Sequence, residues 1–322
     1  VRGPELSRRA LFTLAAAGVS TVALAPAARA EKVLLVEVGG TPEAVAVNSV
    51  TGFAYVSDPS SGTIVVLDSR SGTVGDVIAV GGEPAGLAVD TATNRIFAAN
   101  PPGGTVLVID GRTNDVVSVV PAGPGASSVD IDERANRIYA VSALTGTLAV
   151  LDGVGCRLLD LIVGPTRGLS STAVDSGRKL AYCTSTDTDS LEVFDIGAGK
   201  FIGGIPVGKS PTGVAVHNAS GTVFVANSAI HHLSVVDPGA RKEKATVLLR
   251  SESSSVAIHE GSNTVYANGG PNGIARIDGV TSLLTGDLSL GVNPGAVAID
   301  QRTKTVYVAD PLRGRVFLIR DF

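Results

Sequence analysis

From residue 33 to the end, short apolar runs alternate with turns rich in Gly, Asn, Asp and Ser. The segment 210–237, SPTGVAVHNASGTVFVANSAIHHLSVVD, displays the unit. It holds a Pro-containing turn, an apolar strand, a polar turn, an aromatic-led strand, a polar loop and a strand closing on Asp. Six other segments copy it. The closing Asp recurs at Asp68, Asp110, Asp152, Asp195, Asp237 and Asp278, with Arg320 in the seventh place, in steps of 42, 42, 43, 42, 41 and 42 residues. A second marker ends the first strand of each unit: Asn48, Asp90, Asp132, Asp175, His217, His259 and Asp300. Two markers in step, over units of short alternating strands, specify an all-β fold, a seven-bladed β-propeller of four-stranded antiparallel blades.

Blade 1 is expected to run through 45–47, 53–56, 64–67 and 74–80, and blade 2 through 87–89, 96–99, 106–109 and 116–120. The strand at 33–38 has no partner of its own, whereas the last unit stops after its third strand at 316–319. One gap and one spare strand imply that the N-terminal strand closes the last blade, removing the open edges of an unfinished array. The propeller domain is thus 31–322. No helix is expected after residue 30. The 43-residue step is ascribed to an insertion at 185–190, and blade 6 is glycine-rich at 268–273. First strands read apolar-Ala-apolar, as in Val45-Ala46-Val47 and Val214-Ala215-Val216. Blade 3 breaks the pattern with Val129-Asp130-Ile131. A buried unpaired Asp costs several kcal/mol, so Asp130 should meet backbone partners or solvent.

Residues 1–30 read as a targeting segment. Arg8 and Arg9 precede the apolar run 11–25, and Ala28-Arg29-Ala30 is a small-residue cleavage pattern. Ser7-Arg8-Arg9-Ala10-Leu11-Phe12 resembles the bacterial twin-arginine export motif, which implies an exported protein, extracellular, periplasmic or envelope-associated. No later segment is long and apolar enough to span a bilayer. Cleavage would remove four arginines and one glutamate, leaving 22 basic and 29 acidic residues, a net charge of −7. That balance argues against a nucleic-acid surface. Cys156 and Cys183 are too few for a disulfide framework and are expected as separate thiols. The five tyrosines occupy repeat positions and are expected in the core between blades. A monomer is expected.

Tyr55-Val56-Ser57-Asp58, Phe224-Val225-Ala226-Asn227 and Tyr307-Val308-Ala309-Asp310 resemble the repeats of the bacterial YVTN family of seven-bladed propellers. Gly62-Thr63-Ile64-Val65-Val66-Leu67-Asp68 and Gly104-Thr105-Val106-Leu107-Val108-Ile109-Asp110 continue the likeness, which covers about residues 33–322. The resemblance implies the fold and a secreted or surface-associated protein. The family is functionally mixed: some relatives are implicated in nucleic-acid binding, and more distant propellers are metal-dependent lactonases.

In a four-stranded blade, the loop entering strand 1 and the loop joining strands 2 and 3 open on one face. The first set passes Glu43, Ala85, Ser127, Ser170, Thr212, Ser254 and Gly295; the second starts at Asp58, Asn100, Ser142, Ser185, Asn227, Gly269 and Asp310. Glu43, Asp58 and Asp310, from adjacent blades 1 and 7, are candidate ligands for Ca²⁺ or another divalent cation, with Asn100 as a neutral oxygen donor. They are equally an acid/base set. Against this, Asp and Asn at strand ends commonly cap the next turn. His231-His232 offers one ligand or base and not a chelate, because consecutive strand residues face opposite ways. Arg167, Lys209 and Arg313 bring positive charge to the same face. No cofactor motif is present. The leading expectation is a ligand-binding or protein-interaction module; the alternative is an enzyme at the central face, a metal-dependent lactonase or hydrolase or a metal-free lyase or cyclase. A second alternative is nucleic-acid binding, which would need a contiguous Lys/Arg face.

Overall fold

The computed structural model describes residues 32–270 and 272–322. The export segment expected at residues 1–30 lies outside them. The described residues form 28 strands and no helix, sorted into seven four-stranded antiparallel sheets. Blade 1 comprises Val45–Asn48, Phe53–Asp58, Thr63–Asp68 and Thr73–Ala79 in that order. First strands touch one another in a closed cycle, Val297–Ile299 of blade 7 meeting Val45–Asn48 of blade 1. They form the inner wall of a ring.

Both periodic markers are turn chemistry. Asp132 Oδ1 accepts the N–H groups of Arg134 and Ala135, each at 3.1 Å. Asp68 Oδ1 accepts those of Arg70 and Ser71, each at 2.8 Å. These are Asx turns, in which a short side chain takes the place of a backbone acceptor. The left-handed residue that each hairpin requires is Gly52 in blade 1 (φ 79°) and Asn94 in blade 2 (φ 56°). Where His replaces the Asp, the ring does the same work and more. His217 Nδ1 accepts the Ser220 N–H at 3.3 Å, so Nε2 carries the proton and donates to the Glu260 carbonyl of the next blade at 3.2 Å. His259 repeats this with Ser262 and the Gln301 carbonyl.

Apolar side chains from facing sheets form one layer per blade boundary. At the closing boundary, Ala54, Val56, Val65 and Leu67 of blade 1 pack against Tyr307, Val316 and Leu318 of blade 7 and against Val36. All five tyrosines are buried in such layers. The spare strand is where the pattern placed it. Lys32–Glu37 pairs antiparallel with Arg315–Arg320, from Lys32 opposite Arg320 to Glu37 opposite Arg315, as the outermost strand of blade 7. In blades 1–6 the pairing of strands 3 and 4 carries a register shift, as at Val66/Leu67 and Val150/Leu151, whereas the N-terminal strand pairs without one. Arg320, in the seventh Asp place, sends Nη2 to the carbonyls of Ser69 (3.0 Å) and Arg70 (2.8 Å) and ties blade 7 to blade 1.

The expected insertion at 185–190 is corrected. Strand 1 of blade 4 begins after five connecting residues, between Arg157–Val163 and Leu169–Asp175, where blade 3 has four, between Asp115–Pro121 and Ala126–Asp132. The extra residue lies in loop 164–168, which displaces both downstream markers together. The 41-residue step arises in the hairpin joining Thr264–Gly270 to Gly273–Asp278, where the register shifts between Ala267 and Gly270. A Cβ on Gly273 would overlap the Leu288 carbonyl oxygen, so this shortened turn accepts only glycine there.

Deleting Lys32–Glu37 should leave the Arg315–Arg320 strand unpaired and expose the closing apolar layer. A loss of several kcal/mol is expected, which at about 2–4 °C per kcal/mol lowers the melting temperature by roughly 10 °C or more. An unchanged melting curve for the truncated chain would refute closure by this strand.

Candidate functional site

The ring's central channel opens at two mouths, on opposite faces. Of the candidate ligand-binding side chains Glu43, Asp58, Asn100, Asp130, Arg167, Lys209, His231, His232, Asp310 and Arg313, two line these cavities, Glu43 and Asp130, one at each mouth.

The first mouth has a volume of about 460 Å³ and lies where the chain enters each innermost strand. Four consecutive blades place a hydroxyl-bearing residue there at equivalent positions, Ser127, Ser170, Thr212 and Ser254, and blade 1 places Glu43. Ser170 Oγ donates to the Pro211 carbonyl at 3.1 Å, and Ser254 Oγ accepts the Asn268 amide at 2.9 Å. Thr212 Oγ1 is buried without a partner. Burial raises the Glu43 carboxyl above its ordinary range, and repulsion from Glu83 of blade 2 adds to it. Glu83 has no place in the repeat comparison, because it belongs to the loop before the marker positions.

The other carboxylates expected to join Glu43 are held elsewhere. Asp58 Oδ1 accepts the N–H of Thr41 (3.0 Å), the N–H of Ser60 (3.1 Å) and the hydroxyl of Ser60 (2.7 Å), and Oδ2 accepts the Ser61 hydroxyl at 2.5 Å. Burial pushes its pKa up, but hydrogen bonds from Ser61, Ser60 and Thr41 outweigh that and hold it below the usual range. A Cβ on Gly40 would run into this carboxylate, so Gly40 is what allows the entering loop to close over it. Asn100 Oδ1 caps in the same manner, accepting Glu83 N–H at 3.1 Å. Asp310 has Leu312 and Arg313 where blade 1 has Ser60 and Ser61. Its side chain is fully buried, with no hydrogen-bond donor on either oxygen, and Arg313 meets its charge at 3.5 Å. Among the described residues no group of three or more His, Cys, Asp or Glu is arranged to hold a metal ion. Of Glu43, Asp58 and Asp310, Glu43 alone lines the mouth, while Asp58 is bonded within its own loop and Asp310 is paired with Arg313.

The remaining candidates line neither mouth. Lys209 Nζ is paired with Asp189 Oδ2 at 2.6 Å. His231 lies 3.3 Å from Glu252, both exposed. His232 is in the strand His232–Asp237, where its carbonyl accepts the Asn227 amide. Arg167 is exposed in the lengthened loop 164–168. Both cysteines are free, and burial pushes the Cys183 thiol up to about 12, which makes it unreactive.

The second mouth is larger, about 760 Å³, and opens among the hairpins that follow the innermost strands. Asp130 lines it from blade 3, with Glu133, Arg134, Asn218, Glu260 and Gln301 nearby and Val47, Val89 and Ile258 below. Asp130 Oδ2 accepts the Val174 N–H of blade 4 at 2.7 Å. The innermost strand has no neighbour on its channel side, so that N–H would otherwise face only the channel. Rim residues link blades in series: Glu133 Oε1 accepts the Thr91 N–H, Glu260 Oε1 the Asn218 N–H, and Gln301 Oε1 the Glu260 N–H. Gln301 N–H reaches Ser49 Oγ and closes the series from blade 7 to blade 1. Glu133, Arg134, Glu260 and Gln301 were missed from the sequence, although they directly follow the markers Asp132, His259 and Asp300.

Burial pushes the Asp130 carboxyl up to about 6, against the hydrogen bonds from Ile131 and Val174, while Glu133 and Asp132 add repulsion. The ordinary unfolded value is about 3.9. Between these values the folded chain holds the extra proton, so this residue's contribution to stability falls as pH rises from about 4 through 6. Asp130→Ala should raise stability at pH 7.5 by roughly 1–3 kcal/mol, with the difference closing near pH 4. Chemical denaturation at both pH values measures it; a variant less stable than the parent at pH 7.5 would contradict the assignment.

No protein-family profile matches the chain, and no curated protein does. Among solved structures it is similar to a chain of the Kuenenia stuttgartiensis hydrazine synthase, at 14% sequence identity and a TM-score of 0.74, over 87% of this chain and 95% of that one. At that identity the likeness is one of fold: this chain is a seven-bladed β-propeller.

Proposed function

We propose that this chain is an exported binding module that recognises a small, neutral, hydroxyl-rich molecule at the Glu43 mouth. The observation that carries the reading is the row of equivalent hydroxyl-bearing residues, Ser127, Ser170, Thr212 and Ser254, lining a cavity that Glu43 also lines. Hydroxyls both donate and accept, and a carboxylate accepts, which together match a polyol better than an anion or an apolar body. A cavity of about 460 Å³ is within the range of small-molecule sites. Ser127, Ser170 and Thr212 lie in innermost strands, and Glu43 and Ser254 in the short segments leading into them, so little ordering is needed on binding. The metal-assisted hydrolase is the weaker reading, because Asp58 is committed to its turn and Asp310 to Arg313. Export rests on Arg8-Arg9 and the apolar run after them, and the YVTN resemblance agrees with it.

Titration of residues 31–322 with glucose, N-acetylglucosamine and myo-inositol, followed by ligand-observed NMR, tests the site. At least one should bind saturably, and Glu43→Gln and Ser254→Ala should each weaken it tenfold or more. Absence of binding by all three, or equal affinity in both variants, would overturn the reading. Export is tested separately in a bacterial host with a twin-arginine system: the full chain should be recovered outside the cytoplasm and its Arg8→Lys/Arg9→Lys variant inside it. Equal export of the two would remove that part.

A further inference from the structure

Six of the seven innermost strands carry alanine at one position: Ala46, Ala88, Ala173, Ala215, Ala257 and Ala298. Blade 3 alone carries an acid there, Asp130. Its Oδ2 accepts the Val174 N–H of blade 4, but the other blades form the same strand with a methyl group, and an ionised side chain beside apolar walls opposes folding. A residue that weakens its own scaffold where the repeat offers a stable alternative points to a function of its own.

Its surroundings indicate which. The cavity is about 760 Å³, with apolar walls from Val47, Val89 and Ile258 and a polar rim. The charged groups lining it are Asp130, Glu133 and Glu260 against Arg134, an excess of negative charge. Glu133 and Glu260 each spend an oxygen on the links between blades, whereas Asp130 stands in the wall beneath them. No aromatic side chain lines the space, so it is no cage for a quaternary ammonium. An N–H-bearing cation can instead donate charge-assisted hydrogen bonds to a carboxylate.

We propose that this second mouth is a binding site for a small organic cation carrying N–H donors on an apolar body, an alkylammonium or guanidinium, with Asp130 as its counter-ion. The site is separate from the hydroxyl-lined mouth and does not depend on the reading given for it. Calorimetric titration of residues 31–322 with putrescine, agmatine and tetramethylammonium tests it. Putrescine or agmatine should bind saturably and tetramethylammonium at least tenfold more weakly. Asp130→Ala should weaken the bound amine tenfold or more, and Asp130→Asn by an intermediate factor. Glu43→Gln, at the other mouth, should leave the affinity unchanged. Melting curves of each variant confirm the fold. Equal amine affinity in the parent and Asp130→Ala, loss of binding in Glu43→Gln, or no saturable binding of either amine at millimolar concentration would overturn the proposal.

Discussion

Closure of the ring is the constraint on which everything else rests. Each blade buries its faces against two neighbours, so the seventh apolar layer is complete only when the last blade meets the first. Three bonds of different kinds secure that boundary: the pairing of Lys32–Glu37 with Arg315–Arg320, the Arg320 guanidinium on the Ser69 and Arg70 carbonyls, and Gln301 on Ser49. All three join parts of the chain remote in sequence. Their entropic cost is met once, at closure, and the seven layers then support one another.

Closure also explains why most conspicuous polar residues carry no chemistry. A blade has three hairpins and needs an acceptor at each bend, and the repeat supplies Asp, Asn, Ser or His for that purpose. Asp58 and Asn100 are turn acceptors in this sense, and His217 and His259 show that an imidazole does the same work while adding a link to the next blade. Groups at the ring's centre differ. Glu43 and Asp130 have elevated pKa values because burial outweighs what is offered to the carboxylate. Asp130 gives Oδ2 to the Val174 N–H, and charge beyond that bond is available to a ligand.

Asp310 marks the boundary between these two cases. It occupies a capping position, but Leu312 and Arg313 replace the serines that satisfy Asp58, and the carboxylate is left with an ion pair and no hydrogen bond. The composition of a single loop thus separates a capped acid from an uncapped one.

Blade number, strand order, the closing strand and the buried tyrosines were legible in the sequence, because hairpin turns and alternating strands are local and repeat with the chain. The misplaced insertion was a misreading of the markers: Asp175 and Asp195 shift together, which puts the extra residue between Asp152 and Asp175, and the strand bounds then choose loop 164–168 over the hairpin that follows Asp152. The site was legible only as exceptions to the repeat. Asp130 among alanines and Glu43 among hydroxyls were visible as departures. Which departures face a cavity depends on where seven blades converge, and that separated Glu43 and Asp130, at opposite mouths, from Asp58, which its own loop encloses. The sequence by itself determined the ring, since its period is written in turn chemistry. Tertiary structure decided the site, since burial, partners and the shape of the channel come from residues brought together only when the ring closes.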